Sequence, residues 1–314
     1  MSDINKRFFR RLLPLAAAGL CLLSLSPVGA LPLSDSGDLP GGRPGSALFT
    51  PVGPEMKRPE TPKSIAKPEA PKNQGTPEIA LPVYLQLPHG REELLERYAA
   101  WNLKNPEAAP EQVIMLVNMG LDRPFYSQVE TLSDPAGLTA LVNKYNALPE
   151  DYVPELEALG AGYGGGSMRP EAAQAFRTMA DDARAQGISL RSVSAYRSYQ
   201  VQKSAYSGYL RNASQEYVDT FSARAGHSEH QTGLAVDINA ASRSAHFENT
   251  PAFAWLKEHC AEYGFILRYD EDKQSITGYR YEPWHYRYVG VEAAQACMSR
   301  GLAYEEYIAL LPAE

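Results

Sequence analysis

The sequence predicts an α+β domain, with helices around a small, mostly antiparallel sheet and a disordered N-terminal tether ahead of it. Three observations predict it. Several stretches have helical spacing with helix-type starts and stops, and others are short runs of strand character. The two kinds do not alternate as regular βαβ units. The 24 prolines crowd towards the N-terminal part, so composition changes partway along the 314 residues.

Residues 1–30 read as an export signal. Lys6, Arg7, Arg10 and Arg11 precede an apolar run from Leu12 to Leu25, and Val28-Gly29-Ala30 places small residues where a signal peptidase cuts. An uncleaved anchor is the competing reading, since the uncharged stretch from Leu12 to Leu33 approaches the roughly 20 residues that span a bilayer. Pro14, Pro27 and the small-residue finish favour cleavage. Cys21 does not suit a lipid anchor, because Leu20 stands before it where a small residue is needed. Residues 31–86 are rich in Pro, Gly and Ser and bury too little apolar surface to offset chain entropy. A disordered linker is expected there.

Residues 87–314 are expected to form one domain. Arg91 to Leu103 has helical spacing of Leu94, Leu95, Tyr98 and Trp101, while Gln112 to Gly120 is an apolar run of strand character. A phrase beginning Leu116-Val117-Asn118 returns at Leu141-Val142-Asn143; with no third copy it is a local echo, not a repeat array. Pro170 to Gln186 reads as a helix, with Pro in its first turn and Gly187 at its end. Ile188 to Tyr196 alternates as a strand, and Ser198 to Asn212 reads as a helix. Leu234 to Asn239 is a second strand, Pro251 to Tyr263 a helix closed by Gly264, and Phe265 to Tyr269 a third strand. Trp284 to Val289 makes a fourth, and Val291 to Arg300 a last helix.

Net charge is -7, with no basic block beyond the first residues. That argues against a nucleic-acid partner, which needs a concentrated positive face. Beyond the signal two cysteines remain, Cys260 and Cys297. An even count permits a disulfide in an oxidising compartment, and two buried free thiols are the other reading.

The chemistry is concentrated in two phrases. In Ser228-Glu229-His230-Gln231-Thr232-Gly233-Leu234-Ala235-Val236-Asp237, an imidazole and a carboxylate stand seven positions apart. On a helix they would lie roughly 10 Å apart and could not share an ion. Gly233 and the β-type run after it instead predict a bend feeding a strand, which folds His230 back towards Asp237. The second phrase, Glu282-Pro283-Trp284-His285, supplies another imidazole with a carboxylate three residues earlier. Two histidines and one carboxylate form a catalytic zinc shell that leaves a position for water. A separate carboxylate must then move that water's proton, and Glu282 is the candidate. His227 lacks a partner carboxylate and is expected as an exposed loop histidine. His89, His246 and His259 are expected as surface or satisfied structural histidines.

These phrases resemble the signature of the zinc D-alanyl-D-alanine carboxypeptidases of the VanY type and their L,D-carboxypeptidase relatives. Ser228, His230, Gly233, Ala235 and Asp237 match its first part, and Glu282, Trp284 and His285 its second. The likeness extends to Tyr196-Arg197-Ser198-Tyr199 and Gln202, and runs from about Arg91 to the end. It implies a Zn2+ held by His230, Asp237 and His285, with Glu282 as general base. Arg197 is implied at the active site, and Gln202 and Ser228 as contacts to the peptide terminus. A guanidinium suits that task, being a planar donor fork that stays charged. The implied partners are peptidoglycan stem peptides outside the cytoplasmic membrane, with membrane attachment only through an uncleaved N-terminal segment. Removal of terminal D-alanine is the leading expectation. An L,D-carboxypeptidase acting on tetrapeptide stems shares the same centre. A non-catalytic wall-binding module is the alternative of another class, opposed by the presence of all three ligands and the base.

Overall fold

The computed structural model describes residues 82–312, so the expected signal, most of the expected linker and Cys21 lie outside the described residues. Order begins before Leu87. Helix α1 (Pro82–Gln86) buries Tyr84 against Tyr98, with ring centroids 5.1 Å apart. Tyr98 belongs to α2 (Leu95–Lys104), which a short 3-10 turn precedes, in agreement with the helical spacing there.

The run expected as a strand at 112–120 is helical instead, as α3 (Pro110–Asn118). Pro110 opens it where a missing N–H costs nothing, and the Gln112 side chain accepts from Ala109 N at 3.3 Å. Val113, Ile114 and Val117 then fall on one helical face and pack against Tyr84 and Tyr98. Five consecutive apolar residues in a nine-residue helix look like a strand when their buried partner is unknown. The echo at 141–143 therefore has no structural meaning, because its second copy lies in an irregular segment.

Four two-residue strands follow, β1 (Glu130–Thr131), β2 (Asn146–Ala147), β3 (Glu157–Ala158) and β4 (Ser167–Met168). β1 and β2 pair in parallel, β3 and β4 antiparallel. The main sheet comprises β5 (Arg191–Ser194), β6 (Ala235–Asn239), β7 (Phe265–Leu267) and β8 (His285–Tyr288). Its order is β5-β6-β8-β7 and every pairing is antiparallel, as expected for this fold class.

Helix α4 (Pro170–Ala185) covers one face of this sheet. Ala172, Ala173, Phe176, Met179, Ala180 and Ala183 form its buried stripe, and the alanines let it approach Val236, Ile238, Leu267 and Tyr286 closely. Phe176 meets Phe265 edge to face at 6.5 Å. Between β5 and β7 the chain adds α5 (Tyr199–Tyr209), α6 (Gln215–Val218) and α7 (Pro251–His259). After β7 come α8 (Gln274–Thr277), α9 (Val291–Arg300) and α10 (Tyr304–Ala309). Ile266 and Val289 pack with Ala293, Ala294, Cys297 and Tyr304 as a second core. Both cysteines are buried and free, Cys260 in the α4 core and Cys297 in this second one.

Phe176 belongs to the larger core and has no exposed surface. Phe176→Ala is expected to lower unfolding free energy by about 3–5 kcal/mol, seen as a lower denaturant midpoint at unchanged slope.

Candidate metal centre

The period-two geometry of β6 sends Val236 and Ile238 into the α4 core and Asp237 to the other face. Register then supplies the rest. Asp237 lies opposite His285 of β8, and on its other side opposite Ser194 of β5, just after an irregularity in that strand. A carboxylate and an imidazole 48 residues apart in the chain thus meet, with His285 Nδ1 at 3.0 Å from Asp237 Oδ1.

His230 arrives by a tight turn. Residues Glu229–Thr232 form a 3-10 turn that ends at Gly233, whose φ is 70°. That left-handed conformation reverses the chain into β6, as the bend expected from Gly233 requires. Thr232 Oγ1 donates to Glu229 O and accepts from Leu234 N, which stiffens the reversal. His230 Nε2 ends 3.4 Å from Asp237 Oδ2, and the two imidazoles stand nearly perpendicular with centroids 5.0 Å apart.

One ligand atom each from His230, Asp237 and His285 lies within 4.8 Å of the others. Tetrahedral coordination at zinc–nitrogen and zinc–oxygen lengths spaces its ligands roughly 3.3 Å apart, close to the contacts seen here. Tautomers agree with the fit. His230 Nδ1 faces Ala195 O at 2.7 Å, and a carbonyl can only accept, so Nε2 keeps its lone pair. His285 Nε2 faces Glu229 Oε2 at 3.2 Å, which leaves Nδ1 towards Asp237. Two nitrogen lone pairs and a carboxylate converging on one point repel unless positive charge lies among them. The protein's own ionisations express that demand. Burial opposes charge on His285, but Asp237 and Glu229 outweigh it and push its pKa up to about 9. Burial likewise opposes charge on Asp237, yet the two histidines hold its carboxyl well below the usual range. Burial, joined by the charges of Arg197 and His285, pushes His230 down against the pull of Asp237.

Arg197, on the loop between β5 and α5, points to the same place. One guanidinium nitrogen is 4.0 Å from Asp237 Oδ2 and 3.0 Å from Ser194 Oγ, and the other donates to Gln202 Oε1 at 2.8 Å. Gln202 is buried on α5, and its Nε2 donates to Ala223 O at 2.6 Å. It therefore orients Arg197. Ser228 is buried at the start of the 3-10 turn, but its side chain does not cap it. Glu282 precedes β8, its carbonyl accepting from His285 N at 3.1 Å. Burial and the nearby charge of Asp237 push its carboxyl up to about 7 against the opposing pull of His285 and Arg197.

His227 departs from its expected exposure. It is buried, with Nδ1 at 2.7 Å from Asn143 O and its ring edge-on to Tyr126, a structural histidine. Sequence reasoning also passed over Glu229. The available signal was a second carboxylate, placed directly beside a candidate ligand, in a phrase whose other carboxylate is Asp237.

A family model described as VanY, D-alanyl-D-alanine carboxypeptidase, matches residues 165–291, a span that holds every residue of this centre. The Bacillus subtilis protein YodJ is 41% identical over 196 residues, covering 57% of this chain and 70% of its own. The bifunctional D-Ala-D-Ala dipeptidase and D-Ala-D-Ala carboxypeptidase VanXYC of Enterococcus gallinarum is 36% identical over 148 residues, covering 45% and 76%. Among solved structures, the LdcB LD-carboxypeptidase matches with a TM-score of 0.56 at 37% identity. That likeness covers 59% of this chain and 92% of the other.

The turn at Gly233 gives a direct test of how His230 is aimed. A Cβ there would lie 3.1 Å from Arg169 Cγ and Pro154 Cγ, on a backbone that disfavours side chains. Gly233→Ala is expected to cost about 1–2 kcal/mol of stability. It should also weaken divalent-metal binding, measured by competition with a chromophoric chelator. Unchanged metal affinity in a destabilised variant would detach the turn from the centre.

Proposed function

Because the chain belongs to the VanY D-alanyl-D-alanine carboxypeptidase family, we propose that it is a zinc peptidase that removes the C-terminal D-alanine from peptidoglycan stem peptides. The observation that carries this reading is the convergence of His230, Asp237 and His285, with Arg197 turned to the same point and Glu282 near enough to feel the charges of His285 and Asp237. Two imidazole nitrogens and a carboxylate are the donor set of catalytic zinc sites. When bound, the ion supplies Lewis-acid polarisation of the scissile carbonyl and a lowered pKa for water.

The chain's own residues supply the rest. Arg197 presents a fixed guanidinium, held by Ser194 and Gln202, to an oxygen of the peptide terminus or its scissile carbonyl. Ser228 lies beside the ligand turn and is assigned to the same terminus; Gln202 serves it through Arg197. Glu282 accepts a proton from the attacking water and passes it to the departing amine. A carboxyl raised to about 7 suits both halves of that task.

The second reading is an L,D-carboxypeptidase that trims tetrapeptide stems, favoured by the likeness to the LdcB LD-carboxypeptidase. Both substrates lie outside the cytoplasmic membrane. Export through residues 1–30, a linker from residue 31 to the start of α1, and a catalytic domain from Pro82 to the C-terminal residues complete the proposal. Among the described residues no helix is long and apolar enough to cross a membrane. Attachment, where it occurs, is therefore assigned to the N-terminal segment.

Purified protein incubated with pentapeptide and tetrapeptide muropeptides, with products weighed by mass spectrometry, separates the two readings. Loss of one D-alanine from the pentapeptide, abolished by a chelator and restored by zinc, is expected. Glu282→Gln should lose about 100- to 10,000-fold in kcat while still binding zinc. Near-normal turnover by that variant would remove Glu282 from its role. In the wild type kcat/KM should rise with pH as Glu282 loses its proton. The acid limb should fall at or below pH about 7, because burial raises this carboxyl and a nearby cation lowers it.

A further inference from the structure

We propose that Glu229 is a positioning residue that fixes the ring orientation and tautomer of His285, and that Arg268 and Glu305 hold it in place for that purpose. The inference rests on the metal-centre reading above. Its observations are geometric. The Glu229 side chain is fully buried and divides its two oxygens between different tasks. Oε1 accepts from Arg268 Nε at 2.8 Å and lies 3.4 Å from Arg287 Nη1, while Oε2 faces His285 Nε2 at 3.2 Å. An oxygen paired with guanidiniums belongs to a carboxylate anion, and a carboxylate can only accept. His285 must therefore donate from Nε2, and its Nδ1 lone pair is aimed at the point shared with Asp237 and His230.

The clamp does not end at Arg268. Its two terminal nitrogens donate to Glu305 of α10 at 2.8 and 2.7 Å, a bidentate pair with almost no exposure on either side. Two carboxylates and two guanidiniums are thus buried together, behind the metal centre and away from solvent. Such an arrangement is expensive to bury, and apolar residues of similar volume would commonly give equal stability. What apolar residues cannot do is hold an imidazole N–H in one direction. Carboxylate partners of metal-bound histidines fix ring orientation and raise ligand basicity, and their loss typically weakens metal binding 10- to 100-fold. Glu305 lies beyond the span 165–291 that the family model matches, so a residue of the C-terminal helix supports a ligand inside that span.

The test compares Glu229→Ala, Glu229→Gln and Glu305→Gln with wild-type protein, measuring zinc affinity by chelator competition. Side-chain 1H–15N spectra of the zinc-loaded proteins report the His285 Nε2 proton. Glu229→Ala should weaken zinc binding about 10- to 100-fold and expose that proton to rapid exchange. Glu229→Gln should lose less, because its carboxamide oxygen still accepts from Nε2. Glu305→Gln leaves every contact to His285 in place and should shift the same two readouts in the same direction, by a smaller amount. It remains informative where Glu229→Ala fails to fold. If Glu229→Ala or both glutamine variants bind zinc as tightly as wild type with the Nε2 proton still protected, the inference is overturned while the metal centre stands. Wild-type protein that binds no zinc would remove both.

Discussion

The pairing of β6 with β8 is the constraint on which the site depends. Asp237 sits opposite His285 only in one register, and a shift of one residue would exchange the faces of the strand. Val236 and Ile238 prevent that exchange. Both are fully buried in the α4 core with Tyr286, so a slipped strand would put their side chains against charges and bring Asp237 into that core. The hydrophobic face of the sheet therefore determines the geometry of its polar face. Stability and ligand placement are here two consequences of one alternation.

A second constraint is electrostatic. Asp237 and Glu229 act on His285, and both also act on Glu282, so three carboxylates in a space largely closed to water would repel one another strongly. The protein separates them by assigning each a different counterpart. Glu229 is held by Arg268 and Arg287, and its carboxyl stays far below the ordinary range despite complete burial. Asp237 is served by the two histidines. For Glu282 burial outweighs the pull of His285 and Arg197 and moves its carboxyl up towards neutrality. On the proposed reading, three residues of the same chemistry become an anchor, a ligand and a proton carrier through what surrounds them.

Local chemistry explains which parts of this were legible in the sequence. Gly233 announced the bend because few other residues tolerate its backbone conformation. The helices at 170–185 and 199–209 carried their own starts, Pro170 in the first turn of one and the Ser198 cap of the other. The segment 110–118 misled because Val113, Ile114 and Val117 are adjacent in sequence to other apolar residues, and only the neighbouring tyrosines decide which face is inside. His227 was misjudged for a similar reason, since its acceptor is a backbone carbonyl 84 residues away. Arg268, Arg287 and Glu305 carry no sequence signal of burial. Each looks like an ordinary surface charge until the fold pairs it.

The two signature phrases also hold down the irregular segment that crosses near the site. From about Leu138 to Tyr152 the chain has only one two-residue strand, so its backbone groups need partners from elsewhere. Those partners come from the phrases themselves and their continuations. Arg287 donates to Ala140 O at 3.0 Å, His227 meets Asn143 O, and Gln231 Nε2 donates to Pro149 O at 2.9 Å. Lys144 answers in the other direction, donating to Asp219 O while its ammonium lies 4.0 Å from the centre of the Tyr279 ring. Residues of the phrases and their continuations outside the candidate ligand set thus fix the segment around the centre, where His227 and Gln231 are buried. A phrase of ten residues can carry both tasks because its turn and its strand present successive side chains in different directions: His230 and Asp237 towards the metal point, Gln231 towards the segment, and Val236 towards the core.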